Sequence, residues 1–238
     1  MIIISRVFVI PDVHLKPWIF DRAEEHLKKE NVEFIVFLGD LVDDWDQQSN
    51  IELYNETFDR ALKFINDHEN IRWCYGNHDV SYLWNRIESG FSWYAQETVV
   101  RRMRELQDLL GKRIAFIHRI GNTLFSHAGL MESFVKNIFS KHTSLNDIIS
   151  DINSMGSMYM WDDNSPIWAR PQQDEYHVPY PKSLYQVVGH TPVVCPLLQG
   201  NLLTVDNFSS YPDGKPLGSR KFVIVDTLTF EYVELPAN

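Results

Sequence analysis

Short, unbroken apolar runs alternate with stretches of helical periodicity along the first half of the chain. Residues 7–10, Val-Phe-Val-Ile, form the first run and stop at Pro11. A continuous run of bulky and β-branched side chains suits a strand covered on both faces. A second, Phe-Ile-Val-Phe-Leu at 34–38, ends at Gly39, and a third, Ile-Arg-Trp-Cys-Tyr at 71–75, ends at Gly76. Between them, residues 20–30 have the mixed character of a short surface helix. Ile51, Tyr54, Phe58, Ala61, Leu62 and Ile65 then recur at helical spacing behind a Ser49-Asn50 cap.

The pattern continues with a helix carrying Val99, Val100, Met103, Leu106, Leu109 and Leu110, closed by Gly111. Residues 114–117 and 123–125 predict a hairpin around Gly121-Asn122. Helices follow near 131–139 and 145–154, the latter with Ser144 and Asp147 at capping-box spacing. Residues 156–184 break the rhythm: Trp161, Trp168, Pro166, Pro171, Pro179 and Pro181 mark a long loop of the kind that usually carries function. Strands are predicted at 185–188, 202–205, 221–226 and 229–235, the last three completing a second sheet. No repeat, low-complexity tract or linker interrupts the alternation, so the expected architecture is α/β with residues 1–238 as one domain.

Polar residues gather where the apolar runs stop. Asp12 and His14 follow Pro11, Asp40 follows Gly39, Asn77 follows Gly76, His127 follows Ser126, and His190 follows Gly189. Crevices outside the carboxyl ends of strands are where open α/β sheets bind ligands. In extended chain, residues two apart share a face, so Asp12 and His14 can converge. Carboxylate, imidazole and amide donors without thiolates suit divalent Mn, Fe or Zn, with Mn favoured here. Six donors are too many for one tetrahedral ion, so two ions sharing a carboxylate are expected.

Composition narrows the possibilities further. The chain has 238 residues, 44% hydrophobic and 13% aromatic, enough for a large core. Its net charge of −10 argues against non-specific nucleic-acid binding. Cys74 and Cys195 lie far apart without metal-ligand spacing, which fits a reducing compartment. No apolar run reaches membrane-spanning length, and Met1-Ile-Ile-Ile lacks the long apolar region and cleavage site of a signal peptide. A soluble, cytoplasmic protein without membrane partners is expected.

Asp-x-His, Gly-Asp-x-Val-Asp, Gly-Asn-His-Asp, Ser-His-Ala-Gly and Gly-His-Thr-Pro occur in that order between about Ile3 and Asp206. Together they resemble the calcineurin-like metallophosphoesterase superfamily, in particular the branch of serine/threonine phosphoprotein phosphatases and symmetrical bis(5′-nucleosyl)-tetraphosphatases. The resemblance implies a four-layer αββα sandwich of two mixed β-sheets flanked by helices, with a dinuclear metal site at strand ends. It implies Asp12, His14 and Asp40 on one metal, and Asp40, Asn77, His127 and His190 on the other, Asp40 being the bridge. It further implies His78 as the general acid, oriented by Asp43, and Arg170 as a phosphate clamp.

Hydrolysis of a phosphomonoester dianion requires charge neutralisation and a strong nucleophile, both of which metal ions supply. The expected reaction is direct attack by a metal-bound hydroxide, without a phosphoenzyme. A carboxylate such as Asp43 keeps a neighbouring imidazole protonated for the departing alkoxide. Structural or exposed roles are expected for His26, His68, His118, His142 and His177, and packing roles for Trp161 and Trp168. Asp44, Asp46 and Asp79 are candidates for solvated surface charges.

The branch commonly places a phosphate-binding arginine and then glycine where this chain has Asp44 and Trp45. Either Lys16, Arg72 or Arg86 substitutes, or the substrate is less densely charged. Three functions follow: a phosphatase acting on phosphorylated protein or another small phosphoester; a dinucleoside-polyphosphate or nucleotide hydrolase with Trp45 or Trp168 stacking on a base; and a binding module that has lost catalysis.

Overall fold

Parallel strands need crossover connections, and the chain supplies a helix between most of its short buried strands. The computed structural model describes residues 5–141, 143–173 and 177–237. It begins with β1 (Arg6–Ile10), α1 (Trp18–Leu27), β2 (Phe34–Phe37), α2 (Ile51–Asp67), β3 (Ile71–Cys74), α3 (Asn77–Trp84) and α4 (Gln96–Leu110). Then come β4 (Ile114–Ala115), β5 (Ile117–Ile120), β6 (Thr123–Ser126), α5 (Glu132–Ile138), α6 (Leu145–Ser154) and α7 (Ser157–Met160). The chain closes with β7 (Tyr185–Val188), β8 (Leu197–Gln199), β9 (Leu202–Thr204), β10 (Lys221–Asp226) and β11 (Tyr232–Pro236).

Two mixed sheets result, one of six strands in the order β11-β10-β1-β2-β3-β4 and one of five in the order β5-β6-β7-β9-β8. The runs β1-β2-β3-β4 and β6-β7-β9 are parallel. Side chains alternate across each strand. Val7, Val9, Val36, Val223 and Val225 meet Phe125, Val187 and Leu203 between the sheets. Phe8, Ile10, Phe37 and Trp73 face outward under α1, α2 and α4. Leu124 and the apolar faces of α5 and α6 form the outer layer of the second sheet. The fold is therefore the expected four-layer sandwich.

Three expectations about its pieces need correction. Residues 221–226 and 229–235 do not join the second sheet: β10 runs antiparallel to β1, and β11 to β10, so they extend the first. An apolar run buried on both faces fits the edge of either sheet, and only the packing selects one. The expected 114–117 strand is also two pieces. Ile114 and Ala115 pair with β3, whereas Ile117–Ile120 pairs with β6. The backbone N–H groups of Phe116 and Ile117 at this crossing donate to Asn153 Oδ1 at 3.0 and 2.9 Å.

Asp79 is the third correction. It is fully buried rather than solvated, because it lies in the first turn of a helix, α3, that apolar periodicity did not announce. The loop 156–184 also contains the short α7, and β8 had no counterpart in the pattern. Residues 1–4 and His142 lie outside the described residues.

Candidate metal centre

Six strands, parallel to one another within each sheet, end on one rim, and each is followed within three residues by a polar side chain: Asp12 after β1, Asp40 after β2, Asn77 after β3, His127 after β6, His190 after β7 and Asp206 after β9. The loops are stitched together. Val13 and His14 donate backbone N–H groups to Asp40 O at 3.0 and 2.9 Å, and Leu15 donates to Leu41 O at 3.1 Å. His14, Asp40, Asp43 and His190 all have positive φ, which is costly for residues bearing a Cβ. The glycines of the motifs are there for space. A Cβ on Gly76 would lie 2.0 Å from Asp40 Oδ1, and one on Gly189 would lie 1.9 Å from Asp12 Oδ1.

Two groups of potential ligands form, Asp12 with His14 and Asp40, and Asp40 with His127 and His190; within each, one donor atom per residue falls within 4.8 Å of the others. Asp40 belongs to both. Its Oδ2 lies 3.2 Å from His127 Nε2 and 3.7 Å from His14 Nε2. His127 Nε2 is also 2.8 Å from Asn77 Oδ1 and 3.1 Å from His190 Nδ1. His14 Nδ1 donates to Asp43 O at 2.8 Å and His127 Nδ1 to Leu38 O at 2.9 Å, so the Nε2 atoms of both rings face the cluster. Outer hydrogen bonds of this kind fix the tautomer of metal-binding histidines.

The arrangement fits cations. Among the described residues, Asp12 Oδ1 and His190 Nε2 are buried without a hydrogen-bond partner. Burial raises the Asp12 carboxyl well above its ordinary range, assisted by Asp206 and Asp40. Burial also holds the His14 and His190 imidazoles below theirs, so both rings are neutral donors. At His127 burial opposes the charged form, but Asp40 and Asp12 outweigh it and raise the imidazole to about 9. A cation between those carboxylates competes directly with that proton.

His78 follows Asn77 on α3. Its Nδ1 donates to Asp43 Oδ2 at 3.1 Å, leaving Nε2 as the ring atom available to a substrate. Burial disfavours its charge, but Asp40, Asp43 and Glu88 together raise it to about 10. Asp43 Oδ1 in turn accepts the hydroxyls of Tyr54 and Tyr82 at 2.7 and 2.6 Å. Asp79 accepts the backbone N–H groups of Asp40 and Gly76 at 3.0 Å each and of Leu41 at 2.9 Å. Its carboxylate thus ties the end of β3 to the turn after β2.

A cavity of roughly 370 Å³ opens over the cluster. His78, Trp168 and Arg170 line it, with Trp45 and Tyr211 also at its wall. Arg170 Nη1 donates to His190 O at 3.2 Å and Thr191 Oγ1 at 3.1 Å. Lys16 does not line this cavity: its Nζ donates to Asp44 Oδ2 at 2.9 Å and to His14 O at 3.1 Å. Arg72 lies over the Phe34 ring at 5.1 Å, and Arg86 is also absent from the lining. Arg170 is therefore the one Lys or Arg side chain among the described lining residues. Trp168 packs edge-on to Trp161, as expected of a packing residue, while its other side meets His190.

His26, His68 and His118 bond away from the cavity, to Pro236 O, Glu24 Oε1 and Trp73 O. Tyr54, Tyr82, Glu88 and Asp206 were missed as site residues. Tyr54 sits on the apolar stripe of α2 and reads as core, while Glu88 and Asp206 belong to no recognisable motif. The one available signal was positional, since Asp206 directly follows the apolar run 202–205.

The family model for calcineurin-like phosphoesterase matches residues 5–194. No curated protein matches the chain in sequence. Among solved structures, the chain is similar to a cold-active protein-tyrosine phosphatase of a psychrophile, Shewanella sp., with a TM-score of 0.56 and 18% identity over 98% of this chain and 80% of that one. It is also similar to a protein serine/threonine phosphatase from Saccharomyces cerevisiae with similarity to human phosphatase PP5, with a TM-score of 0.56 and 17% identity over 93% of this chain and 73% of that one. At these identities the likeness is one of fold.

Proposed function

The chain belongs to the calcineurin-like phosphoesterase family, and from that premise we propose that it is a phosphatase hydrolysing phosphomonoesters at a two-metal centre. One observation carries the reading: two ligand groups, Asp12-His14-Asp40 and Asp40-His127-His190, share the carboxylate of Asp40. Asn77 joins the second group through Oδ1, 2.8 Å from His127 Nε2. Bound divalent ions neutralise the phosphoryl oxygens and lower the pKa of water from about 15.7 towards about 7. The oxygen, imidazole and amide donors favour manganese, with iron or zinc as competitors.

The remaining steps belong to the chain itself. Arg170 pairs with phosphoryl oxygens, its Nη1 held by His190 O and Thr191. His78 delivers a proton from Nε2 to the leaving oxygen, while Asp43 fixes the ring through Nδ1. Asp43 is fixed in its turn by the two tyrosine hydroxyls. The buried walls of the cluster limit water around the developing charge.

With one guanidinium at the cavity wall and Asp44 where a second cation would stand, a single phosphoryl group suits the site better than a polyphosphate. A phosphorylated protein or small phosphoester is thus the favoured substrate. One observation keeps the nucleotide reading: Trp45 is 53% exposed at the cavity wall, yet its Nε1 is pinned to Ser210 O at 2.9 Å. A held, exposed indole is a surface on which a base or aryl group can stack.

Phosphopeptides, diadenosine tetraphosphate, nucleotides and a chromogenic monoester, each assayed with Mn²⁺ and with metal analysis of the same sample, separate these readings. Turnover of monoesters above diadenosine tetraphosphate is expected. No turnover of any of them by the fully metallated protein would identify a binding module instead. Cys74 and Cys195 are both free thiols, which supports a cytoplasmic location. No helix among the described residues is long and apolar enough to cross a membrane.

A further inference from the structure

Glu88 is a buried carboxylate that none of the sequence motifs contains. It lies in the connection between α3 and α4, two residues before Gly90, whose φ is +87°. That backbone folds the segment back over the start of α3: a Cβ on Gly90 would stand 3.4 Å from Asp43 Cβ and 3.5 Å from His78 Cε1. The Glu88 side chain, 6% exposed, enters the space so formed.

Its two oxygens face two different neighbours. Oε2 accepts Asn77 Nδ2 at 2.7 Å. Because an amide presents its nitrogen and oxygen in opposite senses, this bond turns Asn77 Oδ1 towards His127 Nε2, 2.8 Å away. Oε1 lies 3.2 Å from His78 Nδ1, the atom that donates to Asp43. Among the described residues, the Oε1 atom has no hydrogen-bond partner of its own. It therefore stands against the imidazole Nδ1 beside Asp43 without replacing Asp43 as its acceptor.

We propose that Glu88 is a positioning residue that sets the amide of Asn77 for metal binding and holds the ring of His78 with Asp43. The inference rests on the two-metal reading of the site and adds to it a single carboxylate serving both the ligand and the acid. Asn77 and His78 are consecutive on α3 but point to different tasks. Glu88 locks them from one side.

Two substitutions separate its two contacts. In Glu88→Gln the side-chain carbonyl oxygen can still accept from Asn77, whereas the oxygen beside His78 Nδ1 is replaced by an NH2 group that meets another donor. In Glu88→Ala both contacts are lost. Calorimetric titration of Mn²⁺ into the metal-free full-length protein reads the Asn77 arm independently of any turnover. Affinity at the weaker of the two sites is expected to fall about tenfold or more in Glu88→Ala and to recover to within about threefold of the parent in Glu88→Gln, by analogy with outer-shell ligand partners.

Turnover with saturating Mn²⁺ reads the His78 arm. Both variants are expected to lose more kcat on an alkyl monoester, whose poor leaving group needs the acid, than on p-nitrophenyl phosphate. Equal Mn²⁺ affinities in the parent and Glu88→Ala would overturn the proposal, as would an equal loss of Mn²⁺ affinity in the two variants or kcat losses that are the same on both esters. If the parent binds two Mn²⁺ ions but hydrolyses no ester, the proposed function fails while the titration still decides the role of Glu88 at Asn77.

Discussion

His78 Nδ1 stands 3.1 Å from Asp43 Oδ2, and this contact turns the opposite ring nitrogen to the cavity. If His78 is the acid, His78→Asn retains both metal ions and loses about 10²–10⁴-fold in kcat on esters with poor leaving groups. Steady-state kinetics with metal analysis of the same preparation check this. Full activity on an alkyl monoester would remove His78 from the mechanism.

Asp40 is shared by both ligand groups, so its neutralisation affects two ions rather than one. Asp40→Asn is expected to retain substoichiometric metal at both positions after dialysis against Mn²⁺. Asp12→Asn, which touches one group, leaves one ion bound. Elemental analysis distinguishes them; an Asp40→Asn protein holding two equivalents would show that the carboxylate is not shared.

Lys16 is neutralised by Asp44 at 2.9 Å, beside the cavity. Asp44→Asn removes that pairing and adds net positive charge where the related branch carries an arginine. Inhibition by inorganic phosphate is expected to tighten by about 1 kcal/mol or less, at most about fivefold, at low salt, and less at high salt. A weaker phosphate inhibition constant would mean that Asp44 itself supports binding.

Gly76 admits the Asp40 carboxylate to a space that a Cβ would occupy. Gly76→Ala therefore displaces Asp40 or the backbone and costs about 1–3 kcal/mol of stability, as overpacking does. Urea denaturation measures the cost, and Mn²⁺ titration of the same variant is expected to show weakened binding. A variant with parental stability and affinity would show that the turn has room to relax.

His118 provides a pH test away from the metal centre. Its imidazole is lowered to about 4, first by burial and then by Arg72, against a hydrogen bond with Trp73 O that raises it. The unfolded chain takes up this proton near pH 6.5 and the folded chain only near 4, so stability is lost as pH falls through that window. The loss approaches about 3 kcal/mol by pH 4. Urea denaturation of the parent and His118→Gln at pH 7, 5.5 and 4 is expected to show the two converging or crossing as pH falls.

The sequence alone determined the order of the main strands and long helices and the residues at the strand ends. Apolar runs closed by glycine or proline identify buried strands locally, and the polar residues after them inherit their place from the backbone. Asp12, His14, Asp40, Asn77, His127 and His190 were legible for that reason, as was the α/β alternation. Nothing in a linear pattern states which edge of which sheet a doubly buried strand will join. Residues 221–226 consequently went to the wrong sheet, since β10 found its partner in β1, more than 200 residues earlier.

Tertiary structure decided the surroundings of those residues. Tyr54 read as a core position because a phenol is mostly apolar, but the fold aims its hydroxyl at Asp43. Asp79 was only a candidate for a solvated charge, and the first turn of α3 buries it against three backbone N–H groups. Glu88 gave no signal, because its meaning comes from a loop that folds back on Asn77 and His78. Chain-local chemistry specifies which donors stand at a strand end; hydrogen bonds and charges brought in from distant segments specify how each donor is oriented and protonated.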